Sequence, residues 1–146
     1  MEDPYDLARF VKAQEPRYAQ ALAELNQGGK RSHWMWFIFP QLKGLGSSPT
    51  AVAFAIGSLA EARAYLAHPL LGARLHECTQ QVLALTQCTA REVFGYPDDL
   101  KFLSCMTLFA RADPQGPWRT ALERYFAGGE DPLTRELLTW ACETSG

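Results

Sequence analysis

Basic residues, a histidine and two tryptophans lie close together in one short segment of the chain. Residues 30–48 read KRSHWMWFIFPQLKGLGSS. Indole rings offer stacking surfaces for a planar group, and lysine and arginine donate hydrogen bonds to anions. The turn Gly44-Leu45-Gly46 could bring backbone N–H groups to a phosphate, although its spacing fits neither a Walker loop nor a dinucleotide fingerprint. The segment predicts part of a pocket for a small anionic or nucleotide-like ligand. The alternative interpretation is an aromatic core segment followed by a surface loop.

A second group of polar side chains lies on a predicted helix over residues 98–111. At about 100° per residue, Ser104, Thr107 and Arg111 fall within about 60° of each other, and Lys101 lies at the rim of the same stripe. The other faces of this helix are mostly apolar, and a buried hydroxyl without a partner costs about 1–3 kcal/mol. These hydroxyls therefore bond either backbone carbonyls one turn back or groups that line a pocket. The sequence leaves both interpretations open.

Arg74 and His68 are further candidates for the pocket. Arg74 precedes the apolar position Leu75, so it flanks the buried face of its helix and can extend outward or reach inward to hold a carboxylate or phosphate. His68 precedes a proline at a helix boundary, where it can cap a helix C-terminus. The histidines at positions 33, 68 and 76 share no metal-ligand spacing, so no metal site is predicted.

In the ligand-binding interpretation these side chains have separate roles. Trp34 stacks on a planar group, Arg74 and Lys101 hold negative charge, and His33 donates or transfers a proton. If the pocket is catalytic, hydrolysis or glycosidic transfer on a nucleotide-derived substrate is the expected reaction class, with His33 or Asp98 as acid or base. The sequence contains no Gly-x-Ser-x-Gly nucleophile motif and identifies no cofactor.

A function of a different class remains open, namely a protein-interaction or self-association module. In that interpretation Trp34 and Trp36 form an exposed aromatic patch that contacts a partner or a second copy of the chain. The burial of the two tryptophans separates the alternatives. Indoles that line a concavity favour a ligand, whereas a flat exposed patch favours association.

Helix start and stop signals recur along the whole chain, while the alternation typical of strands is nearly absent. Residues 71–85 carry apolar side chains at helical spacing, and two capping boxes are present. The expected helix starts lie at Pro16, Ser58, Thr89, Asp98 or Asp99, Pro117 and Asp131-Pro132. We therefore predict an all-α fold: a compact single domain over residues 1–146, built from seven to nine short helices.

The aromatic segment 33–39 is ambiguous between a helix and a buried strand. Ser32 is a suitable N-cap, and every neighbouring segment reads as helical, so a lone strand would have no partner. We favour a helix, which Pro40 limits to about two turns.

The composition is that of one soluble globular domain. The chain has 146 residues, of which 47% are hydrophobic and 21% charged, and its net charge is −2. This balance argues against nucleic-acid or membrane-surface binding, which needs a basic excess. The N-terminus lacks the pattern of a signal peptide, and the longest apolar run has six residues. Four cysteines without CxxC spacing are expected to be reduced thiols, so we predict a cytoplasmic protein.

The segment 30–48 resembles the signature of a widespread bacterial family, domain of unknown function 1810. Residues 58–75, 94–109 and 128–138 agree with the same family, so the resemblance covers nearly the whole chain. The signature positions that carry over are His33, Trp34, Trp36, Gln41, Gly44, Gly46, His68, Arg74, Asp98, Lys101, Ser104 and Thr107. Phe54 stands where a tyrosine is common, and Cys105 where a second serine is common.

The resemblance implies a compact multihelical domain and no established activity. Members of this family are often labelled calpastatin, but a calpain inhibitor of that kind is a disordered repeat chain, which this sequence does not resemble. From the resemblance and the residues together, the signature positions apart from Asp98 are the expected ligand-binding residues. The expected partner is a small molecule, with no nucleic acid and no membrane, and no protein partner is identified.

Overall fold

The computed structural model describes residues 3–145 of the chain, and the side chains of residues 3–139. Helices account for most of this part of the chain, and its one β-type contact is an isolated parallel bridge between Leu42 and Ile56. The helices are α1 (Ala8–Gln14), α2 (Tyr18–Asn26), α3 (Met35–Ile38), α4 (Pro49–Ala53), α5 (Leu59–Ala67), α6 (Leu71–Leu83), α7 (Ala90–Phe94), α8 (Asp98–Ala112), α9 (Trp118–Phe126) and α10 (Pro132–Ser145). The predicted all-α fold is confirmed.

Several predicted helix starts have the expected cap. The Ser58 side chain accepts a hydrogen bond from the backbone N–H of Glu61 at the start of α5. Thr89 forms a complete capping box with Glu92 before α7. The Asp131 carboxylate accepts the backbone N–H of Thr134 in the first turn of α10. Each cap satisfies a backbone donor that the first helical turn leaves free.

Other local predictions are wrong. Neither Asp98 nor Asp99 caps α8, because Pro97 occupies the N-cap position. Ser32 does not cap α3, since the helix starts at Met35 and the Ser32 hydroxyl donates to Glu24 instead. That helix has one turn rather than two. The described residues form ten helices, one more than the predicted range, because α1 and the five-residue α4 were not predicted, although Ser48 caps α4 and Pro49 begins it.

Helix α8 lies at the centre of the fold and packs against α5, α7, α9 and α10. Its residues 104–110 are all buried, which explains why apolar side chains occur on most of its faces. Three phenylalanine rings join α8 to its surroundings: Phe102 lies 4.6 Å from Phe94 and 5.2 Å from Phe39, centroid to centroid. This aromatic contact holds the end of the segment 33–39 against α7 and α8.

The chain between α2 and α4 is held by backbone hydrogen bonds at two points. The N–H of Lys30 donates to the carbonyl of Val93 at the end of α7. Farther along, the N–H of Ile56 donates to Gln41, and the N–H of Lys43 donates to Ile56. These contacts fix the aromatic segment between two parts of the chain that are distant in sequence. Among the described residues, no helix is both long enough and apolar enough to cross a membrane.

Candidate functional site

A cavity of about 260 Å³ lies where the segment before α3, α3 itself, α4 and the start of α8 meet. Its wall combines aromatic rings with charged and hydroxyl groups. The lining residues are Lys30, His33, Trp34, Met35, Trp36, Phe37, Ser48, Thr50, Asp98 and Lys101. Five of the predicted candidates therefore meet in one place: His33, Trp34, Trp36, Asp98 and Lys101.

Two lysine ammonium groups share one carboxylate in this cavity. The Nζ of Lys30 lies 2.7 Å from Oδ2 of Asp98, and the Nζ of Lys101 lies 3.0 Å from Oδ1 of the same residue. Burial opposes ionisation of Asp98, but the hydrogen bonds and charges of both lysines outweigh it and hold the pKa of this carboxyl below its ordinary value. Asp98 is therefore ionised at neutral pH, and the three groups together carry one excess positive charge.

The two tryptophans of the cavity have different environments. Trp34 is only 1% exposed, whereas Trp36 is half-buried. The ammonium of Lys101 lies 4.3 Å from the ring centroid of Trp36, a cation–π contact. Trp34 is therefore enclosed and leaves a ligand little ring surface for the predicted stacking. Trp36 and Phe37 are the half-buried aromatic rings of the wall.

Glu24 on α2 anchors the segment that carries His33 and Trp34. Its carboxylate accepts hydrogen bonds from the backbone N–H groups of Arg31 and Ser32, from the Ser32 hydroxyl and from the indole N–H of Trp34, at 2.6–3.0 Å. Burial opposes ionisation, but these donors outweigh it and lower the pKa of Glu24 to about 2. A permanently ionised carboxylate therefore fixes one wall of the cavity.

Sequence reasoning missed Glu24 as a positioning residue and Lys30, Ser48 and Thr50 as lining residues. Glu24 lies next to Leu25 in the apolar stripe of α2, and an acid beside a buried position is the signal that could have identified it. Lys30 lay inside the singled-out segment, but nothing local indicated that it would meet Asp98, because that contact joins residues far apart in sequence.

Arg74 lies outside the cavity, on α6. Its guanidinium is within 3.3 Å of the Gln14 side-chain oxygen and 3.4 Å of the Glu15 carboxylate, and it lies over the Tyr18 ring at 4.7 Å. These partners belong to α1 and α2, so Arg74 ties α6 to the N-terminal helices. The structure therefore does not bring Arg74 to the cavity that Lys101 lines.

The hydroxyls of Ser104 and Thr107 bond the backbone rather than a pocket. Ser104 donates to the carbonyl of Leu100 at 3.1 Å, and Thr107 donates to Leu103 at 2.8 Å. Thr107 also accepts the backbone N–H of Asp131 at 2.9 Å, which joins α8 to the start of α10. Of the two interpretations left open by the sequence, the bonding to carbonyls one turn back is the one observed.

His68 and Gln41 are also absent from the cavity wall. His68 occupies the C-cap position of α5, as predicted, and the Nδ1 of its ring accepts the backbone N–H groups of Leu70 and Leu71 at the start of α6. Gln41 is buried, and its backbone carbonyl accepts a hydrogen bond from the backbone N–H of Ile56. Both residues shape the chain around the cavity without lining it.

The two loop glycines serve packing and backbone conformation. Gly44 has a φ of +104°, which favours glycine, and it lies against Leu137 of α10. Gly46 lies so close to Trp36 that a Cβ atom there would be 2.9 Å from the indole Cη2. Neither glycine lines the cavity, so the predicted approach of their N–H groups to a phosphate is not observed. Gly46 instead closes one edge of Trp36.

Comparisons with known proteins agree with this fold. The crystal structure of the conserved hypothetical protein Rv1873 from Mycobacterium tuberculosis, at 1.38 Å, is similar with a TM-score of 0.92 and 56% sequence identity. The similarity covers 94% of this chain and 99% of that one. No match was found among proteins with curated descriptions. Residues 4–138 match the family described as a protein of unknown function (DUF1810), and the chain belongs to that family, as its sequence signature indicated.

Proposed function

We propose that this protein binds a small anion in the cavity between α3, α4 and α8. The observation that carries the proposal is the pair of ammonium groups of Lys30 and Lys101, which line the cavity and share the single carboxylate of Asp98. Each ammonium has three N–H donors. The Lys30 side chain is only 9% exposed, so its remaining donors favour an acceptor inside the cavity.

The other polar groups of the cavity support an acceptor-rich ligand. Thr50 presents a hydroxyl, and Ser48 accepts a hydrogen bond from the backbone N–H of Ala51, which leaves its own O–H free to donate. His33 is exposed at the rim and can donate through a ring N–H. The volume of about 260 Å³ is near the lower end of the range of about 300–1,000 Å³ for ligand pockets, which favours a small molecule.

Asp98 is better suited to anchor the lysines than to donate a proton. Because its pKa is below the ordinary value, the carboxyl has no proton to give near neutral pH. This argues against the role of general acid that the sequence allowed. The geometry supports binding, and we propose no reaction at the site.

The alternative function, association through an exposed aromatic patch, has little support. Trp34 is buried and donates its indole N–H to Glu24, and Trp36 is half-buried beneath Lys101. Neither ring forms part of a flat exposed surface. Their position in a concave wall favours a ligand.

Anion binding is tested by thermal unfolding with millimolar inorganic phosphate, sulfate, acetate or a nucleoside monophosphate. An anion at about 100 times its Kd adds about 2.7 kcal/mol of stability, which raises the Tm by about 5–10 °C for a chain of this size. The Lys101→Met variant is expected to lose the shift because it removes one of the two ammonium groups. Arg74→Met, which also removes a cation beside an aromatic ring but outside the cavity, is expected to keep it. Absence of a shift with every anion on the unmodified protein would contradict the proposal.

We also propose a cytoplasmic location. Cys78 and Cys105 are buried in the core as free thiols, and burial raises the pKa of both groups, so neither is poised to react. Unreactive thiols of this kind are typical of proteins in a reducing compartment. Cys142 lies outside the described side chains. Fractionation of the native cells with an antibody to the protein tests the location.

A further inference from the structure

The charge of the cavity restricts the kind of anion that it can take. The lysine and carboxylate residues of its wall are Lys30, Lys101 and Asp98, so their formal charges leave an excess of one positive charge. A monoanion neutralises this excess. A dianion would bring a second negative charge into a partly buried space without a matching cation, which is unfavourable.

Two half-buried aromatic rings, Trp36 and Phe37, line the cavity, and of these Trp36 is the one that contacts a cation. Trp34 is covered, whereas Trp36 is half-buried and lines the wall. Gly46 lies against one edge of Trp36, since a Cβ atom there would be 2.9 Å from the indole Cη2. The ammonium of Lys101 lies 4.3 Å from the centroid of this ring, on the end of a flexible four-carbon stem. The Lys101 ammonium, which is also paired with Asp98, therefore occupies the position where a flat group could lie.

We infer, on the basis of the proposed anion site, that its ligand is a planar aromatic monoanion. The ring of the ligand lies on Trp36 in place of the Lys101 ammonium, and its anionic group accepts hydrogen bonds from Lys30 and from the displaced Lys101. Asp98 keeps both ammonium groups within reach of the anion, since each of its oxygens bonds one of them. The indole thus selects a flat ring, and the single excess charge selects one negative charge.

Four small compounds, three carboxylates and one amide, separate the requirement for a flat ring from the requirement for one negative charge. Their Kd values are measured by calorimetry. Benzoate is planar with one charge, cyclohexanecarboxylate has one charge on a non-planar ring, benzamide is planar and neutral, and isophthalate is planar with two charges. We expect benzoate to bind at least tenfold more tightly than each of the other three. The Trp36→Leu variant should bring the benzoate and cyclohexanecarboxylate affinities to within about threefold, whereas Trp36→Phe, which keeps a flat ring, should preserve most of the preference.

The outcomes of these measurements distinguish a failure of the aromatic monoanion from a failure of the proposed anion site. Equal affinities for benzoate and cyclohexanecarboxylate, or tighter binding of isophthalate, would overturn the aromatic monoanion and leave the anion site intact. Binding of phosphate or sulfate without binding of any carboxylate would do the same. If no anion of either series binds, the proposed function fails as well. If Trp36→Leu does not fold, the series on the unmodified protein and on Trp36→Phe still decides.

Discussion

At the scale of single residues, two carboxylates shape the candidate site by holding its other groups in place. Glu24 accepts four hydrogen bonds that hold the chain from Arg31 to Trp34, and Asp98 positions the ammonium groups of Lys30 and Lys101. Both carboxyls have lowered pKa values because their donors stabilise the ionised form more than burial destabilises it. The negative charges of these two carboxylates are therefore compensated by hydrogen-bond donors and lysines of the protein itself.

Replacement of Glu24 by glutamine is expected to lower the free energy of unfolding at pH 7 by about 2 kcal/mol. The amide keeps the shape of the side chain but turns charge-assisted hydrogen bonds into weaker neutral ones. Because the folded pKa of about 2 lies below the ordinary value of 4.5, the stabilisation is complete above pH 4.5 and is lost as the pH falls toward 2. Urea titrations between pH 3 and pH 7 should therefore show the variant and the parent converging in acid.

Glu123→Gln is the matched control for this prediction, since Glu123 is an exposed glutamate on α9. Its effect should stay within about 0.5 kcal/mol at every pH. A difference between Glu24→Gln and the parent that does not change with pH would show that the ionised carboxylate is not the source of the stability.

At the scale of elements, the strongly marked helices were predictable from the sequence and the weakly marked ones were not. Ser58 and Thr89 predict the starts of α5 and α7, because an N-cap side chain bonds a backbone N–H only a few residues after it. Helix α3 has one turn and no side-chain cap, so local propensity says little about it. Its conformation depends on tertiary contacts, above all the packing of Phe39 against Phe94 and Phe102.

The loop between α3 and α4 is a second element whose role depends on close packing. A Cβ atom at position 46 would lie 2.6 Å from the Cβ of Ala51 and 2.9 Å from the Trp36 ring. Gly46→Ala is therefore expected to cost about 1–3 kcal/mol, because neither neighbour is the flexible end of a side chain. The variant should also weaken anion binding, since Trp36 must shift. Chemical denaturation and the benzoate-dependent Tm shift measure the two effects.

Gly29→Ala provides the control for the loop. A Cβ atom there would have no neighbour within 4 Å, and its backbone is not left-handed. The substitution should change the free energy of unfolding by no more than about 0.5 kcal/mol and leave the anion-dependent shift unchanged. Equal losses of stability at the two glycines would rule out close packing as the reason for glycine at position 46.

At the scale of the whole molecule, the cavity joins three parts of the chain, residues 30–37, 48–50 and 98–101. Sequence reasoning identified candidate residues in the first and third of these parts, because the side-chain chemistry of tryptophan, histidine and lysine is evident from the residue type alone. It could not show which groups converge. Arg74 had the right chemistry, yet α6 places it beside Glu15 and Tyr18 instead. Convergence depends on how α8 packs against its neighbours, and local sequence patterns do not show that packing.

The same packing predicts how the molecule unfolds. Helix α8 contributes Asp98 and Lys101 to the cavity and Phe102 to the aromatic contact with Phe39 and Phe94, so the site and the core share one element. We therefore expect the chain to behave as one domain, with a single calorimetric transition whose van't Hoff and calorimetric enthalpies agree at about 100 kcal/mol near 60 °C. An anion that binds the cavity should move this whole transition rather than a part of it, because the site and the core share α8. Two resolved transitions, or a ligand that shifts only a fraction of the signal, would show that the cavity forms independently of the core.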